Sequence, residues 1–262
     1  MPMTESQPPL LQARGLRRLY GNHIAVDEVT FDLWPGEVLA VVGESGSGKS
    51  TLLHTLAGHR APEAGQVLFD VRGLGARDIY ALTEGHRRAL ARTDWGFVHQ
   101  DAADGLRMRV SAGANVAERQ MALGERHYGR LRQLALDWLE RVEIDPQRID
   151  DTPETFSGGM RQRLQIARNL VTLPRLMFLD EPTSGLDVSV QARLLDLLRQ
   201  LTRQLGLAAV LVTHDLAVAR LLAHRTMVMQ RGRVVEAGLT DQLLDDPDHP
   251  YTQLLVSSVL QP

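Results

Sequence analysis

A glycine-rich run between an apolar strand and an apolar helix is the feature that most restricts the fold of this chain. Gly43 to Ser50 reads Gly-Glu-Ser-Gly-Ser-Gly-Lys-Ser, the full pattern of a phosphate-binding loop. Val38 to Val42 predicts a buried strand before it, and Lys49 to Ala57 predicts a helix that ends before Gly58. The glycines let backbone N–H groups turn toward a phosphate, and the helix N-terminus adds a positive dipole. A glycine-rich turn without a ligand is the alternative, and the preceding strand disfavours it.

Lys49 is the only lysine among the 29 lysine and arginine residues of the chain. A preference for arginine codons explains why lysine is scarce, but not why the one lysine stands at the end of this loop. A compact ammonium on a flexible stem fits a tight backbone loop, whereas a planar guanidinium is too broad. We therefore expect Lys49 to reach the β and γ phosphates of a nucleotide, and Ser50 to bind magnesium.

Composition excludes several classes of protein. A length of 262 residues with 44% hydrophobic residues suits one or two globular domains. The absence of cysteine excludes disulfides, thiolate metal sites and iron–sulfur clusters, and a net charge of −3 gives no general attraction to nucleic acid. No apolar run approaches the roughly 18 residues that span a bilayer, and Met1 to Pro9 predicts a flexible tail and not a signal peptide. We expect a cytoplasmic protein that meets a membrane only through a partner.

Short apolar strands alternate with helices along most of the chain. Strands are predicted at Leu10 to Tyr20, Val26 to Leu33, Gln66 to Asp70, Trp95 to Val98, Leu176 to Leu179 and Ala208 to Val212. Residues from about 101 to 166 favour helix and indicate an insertion, and a helix from Val190 to Leu205 ends at Gly206. A hairpin over residues 226–237, with helical pieces after it, completes the chain. Strands buried on both faces that alternate with helices predict an α/β fold with a mostly parallel sheet.

An acidic pair follows the apolar strand that ends at Leu179. At the carboxyl end of such a strand, Asp180 is placed to hold magnesium and Glu181 to polarise a water molecule. Seen alone, this pair is more often an ordinary solvated loop. Downstream of a phosphate loop, the functional interpretation is favoured.

A glycine pair opens a helix at Phe156 to Arg163. The plain interpretation is a capped helix start with Ser157 as the N-cap. The same arrangement presents a hydroxyl and free N–H groups at a positive helix end, which suits a phosphate.

At this segment the chain resembles the ABC ATPase family, whose signature is Leu-Ser-Gly-Gly-Gln. The resemblance extends from Leu10 to Ser258, and the matching elements occur in the family's order. They are the adenine-stacking aromatic Tyr20, the phosphate-loop residues Gly43, Ser45, Gly46, Gly48, Lys49, Ser50 and Thr51, the glutamine Gln100, the signature Ser157, Gly158, Gly159 and Met160, the acids Asp180 and Glu181, the loop Ser184 to Asp187, and the switch histidine His214. Phe156 and Met160 depart from the commonest signature residues, while the serine and glycines that touch phosphate are kept.

The resemblance implies a P-loop NTPase fold of the ABC ATPase type, with a RecA-like mostly parallel sheet, an antiparallel β subdomain and an inserted helical subdomain. Residues 10–262 would form a single domain, with the helical subdomain at about 101–166 and a C-terminal hairpin and helical tail at about 226–262. It also implies ATP and Mg²⁺ as cofactors, with Ser50, Gln100 and Asp180 at the metal and with Lys49, Glu181 and His214 in catalysis. Two subunits, identical or paralogous, would share each ATP, with Asp187 in the loop between them.

Two narrower resemblances indicate different partners. Residues 246–255 are similar to the tail of oligopeptide and nickel importer ATPases, although many of those continue into a longer, cysteine-bearing extension. Five other segments are similar to the ATP-binding proteins of phosphonate carbon–phosphorus lyase systems, namely Phe31 to Val38, Trp95 to Gln100, Asp104 to Arg107, Val110 to Gly113 and Gln191 to Arg199. The second resemblance implies that the residues after Gln100 bind subunits of a soluble lyase core. An importer subunit is the alternative, and a stand-alone cytosolic ABC protein is a third.

Overall fold

The computed structural model describes residues 7–259. Most of the predicted tail at residues 1–9, and the last three residues of the chain, lie outside the described residues. The chain divides into two compact units, one of residues up to 87 together with residues from 206 onwards, the other of residues 88–205. The predicted helical segment lies in the second unit, and the predicted C-terminal hairpin lies in the first.

Strands and helices alternate through the described residues. The strands are β1 (Leu11–Tyr20), β2 (His23–Leu33), β3 (Val38–Val42), β4 (Ala64–Val71), β5 (Gly75–Asp78), β6 (Trp95–Val98), β7 (Leu176–Asp180), β8 (Ala208–Val212), β9 (Arg225–Gln230) and β10 (Arg233–Leu239). The α-helices are α1 (Lys49–Leu56), α2 (Glu84–Thr93), α3 (Ala102–Gly105), α4 (Ala112–Ala122), α5 (Tyr128–Arg141), α6 (Gly158–Leu170), α7 (Val188–Leu205), α8 (Leu216–Leu222), α9 (Thr240–Asp245) and α10 (Pro250–Val259). No helix in this part of the chain is both long and apolar enough to cross a membrane.

An antiparallel sheet with the strand order β2-β1-β4-β5 belongs to the first unit. Leu11 of β1 pairs with Leu33 of β2 on one side and with Phe69 of β4 on the other, and all three side chains are fully buried. The alternating apolar residues of these strands therefore supply one buried face, as their period of two requires. This sheet is the antiparallel β subdomain that the resemblance implies.

The second sheet region of the first unit has the strand order β10-β9-β3-β8, in which β10 is antiparallel to β9. β3 pairs in parallel with β8 and with β9, and every residue of β3 and β8 is buried. β9 and β10 form the predicted hairpin. Its two-residue turn, Arg231 and Gly232, has φ of 49° and 84°, the positive values that a tight hairpin turn requires.

Helices at the C-terminus pack against β3 and β9. The buried cluster between them consists of Ala40, Val42, Leu216, Ala219, Val228, Leu243, Leu244 and Tyr251. Because Val42 directly precedes the phosphate loop, the C-terminal helices pack close to the point where that loop begins.

The second unit pairs β6 with β7 in parallel, with Trp95 opposite Leu176. Helix α4 packs against both α5 and α6. On the apolar face of α5, Leu131, Ala135, Trp138 and Leu139 are buried, and Leu134 is half-buried. The elements β5, α2 and α8 were not predicted from the sequence. The residues of β5 and α2 lack a clear apolar period, and Leu90 is the only buried residue of α2.

A buried amide fixes the segment that follows Gln100. The side chain of Asn115 is fully buried in α4, and its Nδ2 donates to the carbonyls of Arg107, Val110 and Ser111 at 3.1, 2.9 and 3.1 Å. Its Oδ1 accepts the N–H of Arg107 at 2.8 Å. One side chain thus satisfies several backbone groups of a segment without regular structure.

Substitution of Asn115 by alanine is expected to lower the free energy of unfolding by about 2 kcal/mol, because it leaves buried backbone groups without partners. Urea denaturation measures this. The control Asn22→Ala, at an exposed turn, is expected to change the free energy by less than about 0.5 kcal/mol. Equal effects of the two substitutions would contradict the role given to Asn115.

Candidate nucleotide site

Two glycines of the phosphate loop lie against backbone of neighbouring strands. A Cβ added to Gly43 would lie 2.2 Å from the carbonyl oxygen of Met229, and one added to Gly48 would lie 2.0 Å from that of Ala25. The φ values of these glycines are 148° and 104°, which side chains also disfavour. Packing and conformation therefore both require glycine at these two positions.

Lys49 lies inside the curve of the loop and is 5% exposed. Its Nζ donates to the carbonyl oxygens of Gly43 and Glu44, both at 2.8 Å. Such bonds offset the cost of burying an ammonium group. The arrangement leaves Glu44, Ser45, Gly46 and Ser50 exposed on the outside of the loop.

The N-terminus of α1 lacks a side-chain cap within the described residues. Its N-cap is Gly48 in the left-handed conformation, and the first turn contains no acidic residue. The positive end of the helix dipole is therefore not neutralised by a carboxylate in that turn, which suits an anion. Ser50 is exposed in this turn, and Thr51 is half-buried beside it.

Tyr20 ends β1 and is 40% exposed. The guanidinium groups of Arg18 and Arg60 lie 5.3 and 5.5 Å from its ring centroid, and Arg60 also donates a hydrogen bond to its hydroxyl. Partial burial acts to raise the pKa of Tyr20, but hydrogen bonds from Arg60 and Thr51 outweigh it, so the pKa lies below its ordinary value. Arg60 did not emerge from the sequence, because it follows Tyr20 by 40 residues.

His214 is exposed after β8, between two residues that fix the backbone. Thr213 donates its N–H to the carbonyl of Val41 at 3.2 Å. Asp215 is the N-cap of α8 and accepts the N–H of Ala217 at 2.8 Å. The histidine is thus held at the carboxyl end of a strand that is adjacent to β3.

The acidic pair follows β7 in the second unit. Asp180 is 7% exposed, and Glu181 has a φ of 42°, a left-handed conformation that costs a non-glycine residue of order 1 kcal/mol. Gln100 donates its side-chain amide to the Glu181 carboxylate at 3.3 Å and to the Ser184 hydroxyl at 3.2 Å. The predicted glutamine and the predicted base therefore lie together.

The signature segment begins α6 as predicted. The Oγ of Ser157 accepts the N–H of Met160 at 3.3 Å, which makes Ser157 the N-cap. Ser157 and Gly158 are exposed, whereas a Cβ at Gly159 would lie 2.3 Å from Val190. Asp187 is exposed just before α7.

The two departures from the common signature have local roles. The ring of Phe156 is buried beneath the guanidinium of Arg148, whose carbon lies 4.5 Å from the ring centroid. The same guanidinium donates to the sulfur of Met160 at 3.5 Å. Both residues therefore bind Arg148 and leave Ser157 and Gly158 exposed.

Glutamines of α6 bind the backbone beside Gln100. The Oε1 of Gln165 accepts the N–H of His99 at 2.6 Å, and the Nε2 groups of Gln162 and Gln165 donate to the His99 carbonyl at 3.1 and 3.2 Å. Burial lowers the pKa of the His99 ring below its ordinary value. The sequence did not indicate this contact, because polar residues on a helix predict a solvated face.

The candidate residues divide between the two units. The first unit holds Tyr20, the phosphate loop and His214. The second holds Gln100, the signature segment, the acidic pair and Asp187. The assignment of nucleotide, metal and catalytic roles to these residues stays a prediction.

Comparison with known families and proteins gives a consistent result. The ABC transporter family model matches residues 26–184. The chain is 62% identical over 253 residues to the putative phosphonates utilization ATP-binding protein PhnK of Escherichia coli strain K12, covering 97% of this chain and 98% of that protein. It is 38% identical over 267 residues to a putative peptide import ATP-binding protein of Brucella ovis, covering 99% of this chain and 81% of that protein.

Solved structures with the same fold include two cassettes. One is the dimeric ATP-binding cassette MJ0796 in a post-hydrolysis state with ADP and Pi, with a TM-score of 0.78 and 28% identity, covering 88% of this chain and 98% of that one. The other is CbiO1 from Clostridium perfringens, with a TM-score of 0.79 and 26% identity, covering 92% of each chain. These similarities confirm the predicted fold class.

Replacement of Lys49 by arginine is expected to weaken ATP binding at least tenfold, although the charge is kept, because a guanidinium does not fit inside the loop. A titration with fluorescent ATP measures the Kd. The control Arg130→Lys, at an exposed position of α5, is expected to bind as the unaltered protein does. Unchanged affinity of the Lys49 variant would show that the position does not require lysine.

Proposed function

Because this chain belongs to the ABC transporter family, whose cassettes hydrolyse ATP and act as dimers, we propose that it is the ATPase of a carbon–phosphorus lyase system for phosphonates. It would form a dimer with a second ABC subunit, share bound ATP and Mg²⁺ with it, and act on the soluble lyase core. The observation that carries this proposal is the 62% identity, over nearly the full length of both chains, to a phosphonates utilization protein. The peptide import relative is 38% identical, and this chain covers only 81% of it.

The geometry of the phosphate loop supports the proposal that this loop binds the phosphates of ATP. Lys49 would turn from its two loop carbonyls toward the β and γ phosphates, while loop N–H groups and the α1 N-terminus bind phosphate oxygens. Tyr20, half exposed and flanked by two guanidinium groups, would stack on adenine.

Oxygen-bearing side chains suit Mg²⁺. Ser50 offers an exposed hydroxyl at the start of α1, and Asp180 offers a carboxylate at the end of β7. Magnesium in such sites is bound by one or two carboxylates, and phosphate oxygens and waters supply much of the rest of its shell. The bound metal would neutralise negative charge on the phosphates, and Gln100 would contribute its amide oxygen.

Sharing of each ATP between two subunits is supported by the exposed signature. Ser157 and Gly158 leave a hydroxyl and a helix N-terminus open to the outside of the second unit. In the dimer these groups would bind the γ phosphate held by the other subunit's loop, and Asp187 would lie at the contact between subunits. The dimeric cassette of similar fold supports this arrangement.

Glu181 is the carboxylate we assign to the attacking water. Its left-handed backbone conformation is the kind of strain that clusters at functional sites. The amide of Gln100, which donates to this carboxylate, would orient it, and His214 would help to hold the water.

Exchange of Glu181 for glutamine is expected to reduce ATP turnover by more than a hundredfold while ATP still binds, because the amide cannot accept the proton from water. The ATP-bound dimer should then accumulate, as size-exclusion chromatography with light scattering would detect. The control Glu140→Gln, exposed in α5, should hydrolyse ATP normally and not accumulate the dimer. Undiminished hydrolysis by the Glu181 variant would refute its role.

The partner surface is proposed in the helical part of the second unit. A pocket of about 250 Å³ lies between α4, the start of α5 and the 3-10 helix Pro146–Asp150. Met121 and Tyr128 line it with side chains that are 44% and 72% exposed. The pocket begins at Ser111, within the segment after Gln100 that Asn115 fixes. An apolar side chain of a lyase core subunit would fill it.

Purification of the tagged protein without detergent from phosphate-starved cells is expected to recover soluble lyase subunits. The variant Met121→Asp should lose them but keep its basal ATPase activity, because a carboxylate in the pocket opposes an apolar contact. The matched control Leu239→Asp, at another exposed hydrophobic residue, should keep them. Recovery only with membrane proteins would overturn the proposal and favour the importer alternative.

A further inference from the structure

The C-terminal motif at residues 246–255 contacts the phosphate loop. The hydroxyl oxygen of Tyr251, at the start of α10, accepts the backbone N–H of Glu44 at 3.0 Å. Glu44 is the second residue of the loop, 207 residues away in sequence. This contact gives a role to a motif that the proposed chemistry does not use.

Tyr251 is fixed by packing on its ring. It is 7% exposed and belongs to the buried cluster that includes Val42, the last residue of β3 before the loop. A buried phenol of this kind has few rotamers open to it. The position of its hydroxyl is therefore set by the core of the first unit.

Polar residues of the motif fix the start of α10. The carboxylate of Glu236 accepts the N–H groups of Asp248 and His249 at 2.9 and 3.1 Å. The Nδ1 of His249 accepts the N–H of Tyr251 at 3.1 Å, and Gln253 donates to the Pro247 carbonyl at 2.9 Å. The motif therefore anchors the residue that reaches the loop.

The peptide groups of Glu44 are bound on both sides. Its N–H is held by Tyr251, and its carbonyl accepts from Lys49 at 2.8 Å and from the Ser47 N–H at 3.1 Å. If Lys49 turns toward a phosphate, as the proposed function requires, the bond to Tyr251 stays to hold this residue. The exposed N–H groups that follow in the loop depend on that backbone position.

We propose that Tyr251 is a positioning residue for the phosphate loop, which holds the Glu44 N–H so that the loop keeps the shape that receives the phosphates of ATP. The inference rests on the proposed role of the loop. It assigns to the C-terminal motif a function in nucleotide affinity that is independent of any transport or lyase partner.

Substitution of Tyr251 by phenylalanine keeps the ring and removes only the acceptor. We expect the Kd and the KM for ATP to rise about fivefold, the effect of one lost hydrogen bond, with kcat nearly unchanged at saturating ATP. The control Ser257→Ala, which removes an exposed hydroxyl from the same helix, should bind ATP normally.

Amide hydrogen exchange of nucleotide-free protein, followed by NMR, separates a positioning role from simple core packing. In the Tyr251 variant the Glu44 N–H should exchange at least fivefold faster, while amides of β3 keep their protection. Unchanged exchange at Glu44 together with unchanged ATP affinity would overturn the inference, as would a uniform loss of protection with a lowered Tm. If the unaltered protein bound no ATP, the proposed function would be wrong. The exchange rate at Glu44 would still show whether Tyr251 holds this N–H, because that measurement needs no nucleotide.

Discussion

The close fit of the phosphate loop against its neighbouring strands is the constraint on which the rest of the site depends. Gly43 and Gly48 pack closely against the carbonyls of Met229 and Ala25. This packing restricts the backbone conformation of the loop between β3 and α1. This backbone conformation places the ammonium of Lys49 inside the loop and leaves the N-terminus of α1 without a side-chain cap among the described residues. The loop is thus preformed by packing, and an anion would meet it without a large change of backbone.

Helix α6 has the corresponding role in the second unit. Its first residues expose the signature serine and glycine, and its Gln162 and Gln165 bind the backbone of His99, next to Gln100. Gln100 in turn donates to Glu181. Helix α6 therefore carries the surface proposed for a second subunit and binds the backbone next to the glutamine that bonds the proposed base.

Much of this could be predicted from the sequence, because the informative residues are local. The strands β6 and β8 and the Ser157 cap follow from runs of fewer than ten residues, the hairpin follows from a run of twelve, and the structure confirms them. Helix α2 was missed because it buries only Leu90 and so lacks an apolar stripe. Tyr251 and Glu44 are 207 residues apart, and local sequence patterns do not predict a contact between residues so distant in sequence. The sequence also did not predict the positive φ of Glu181, because glycine, and not glutamate, is the residue that indicates a left-handed backbone.

Mixing two inactive variants tests most directly whether each ATP is shared between subunits. Lys49→Ala removes the phosphate lysine, and Ser157→Arg blocks the signature. In a mixed dimer one composite site carries both changes and the other carries neither. The account predicts that each variant alone lacks ATPase activity and that an equal mixture recovers about a quarter of the unaltered activity per subunit. Full activity of the Ser157 variant alone, or no recovery on mixing, would contradict the shared site.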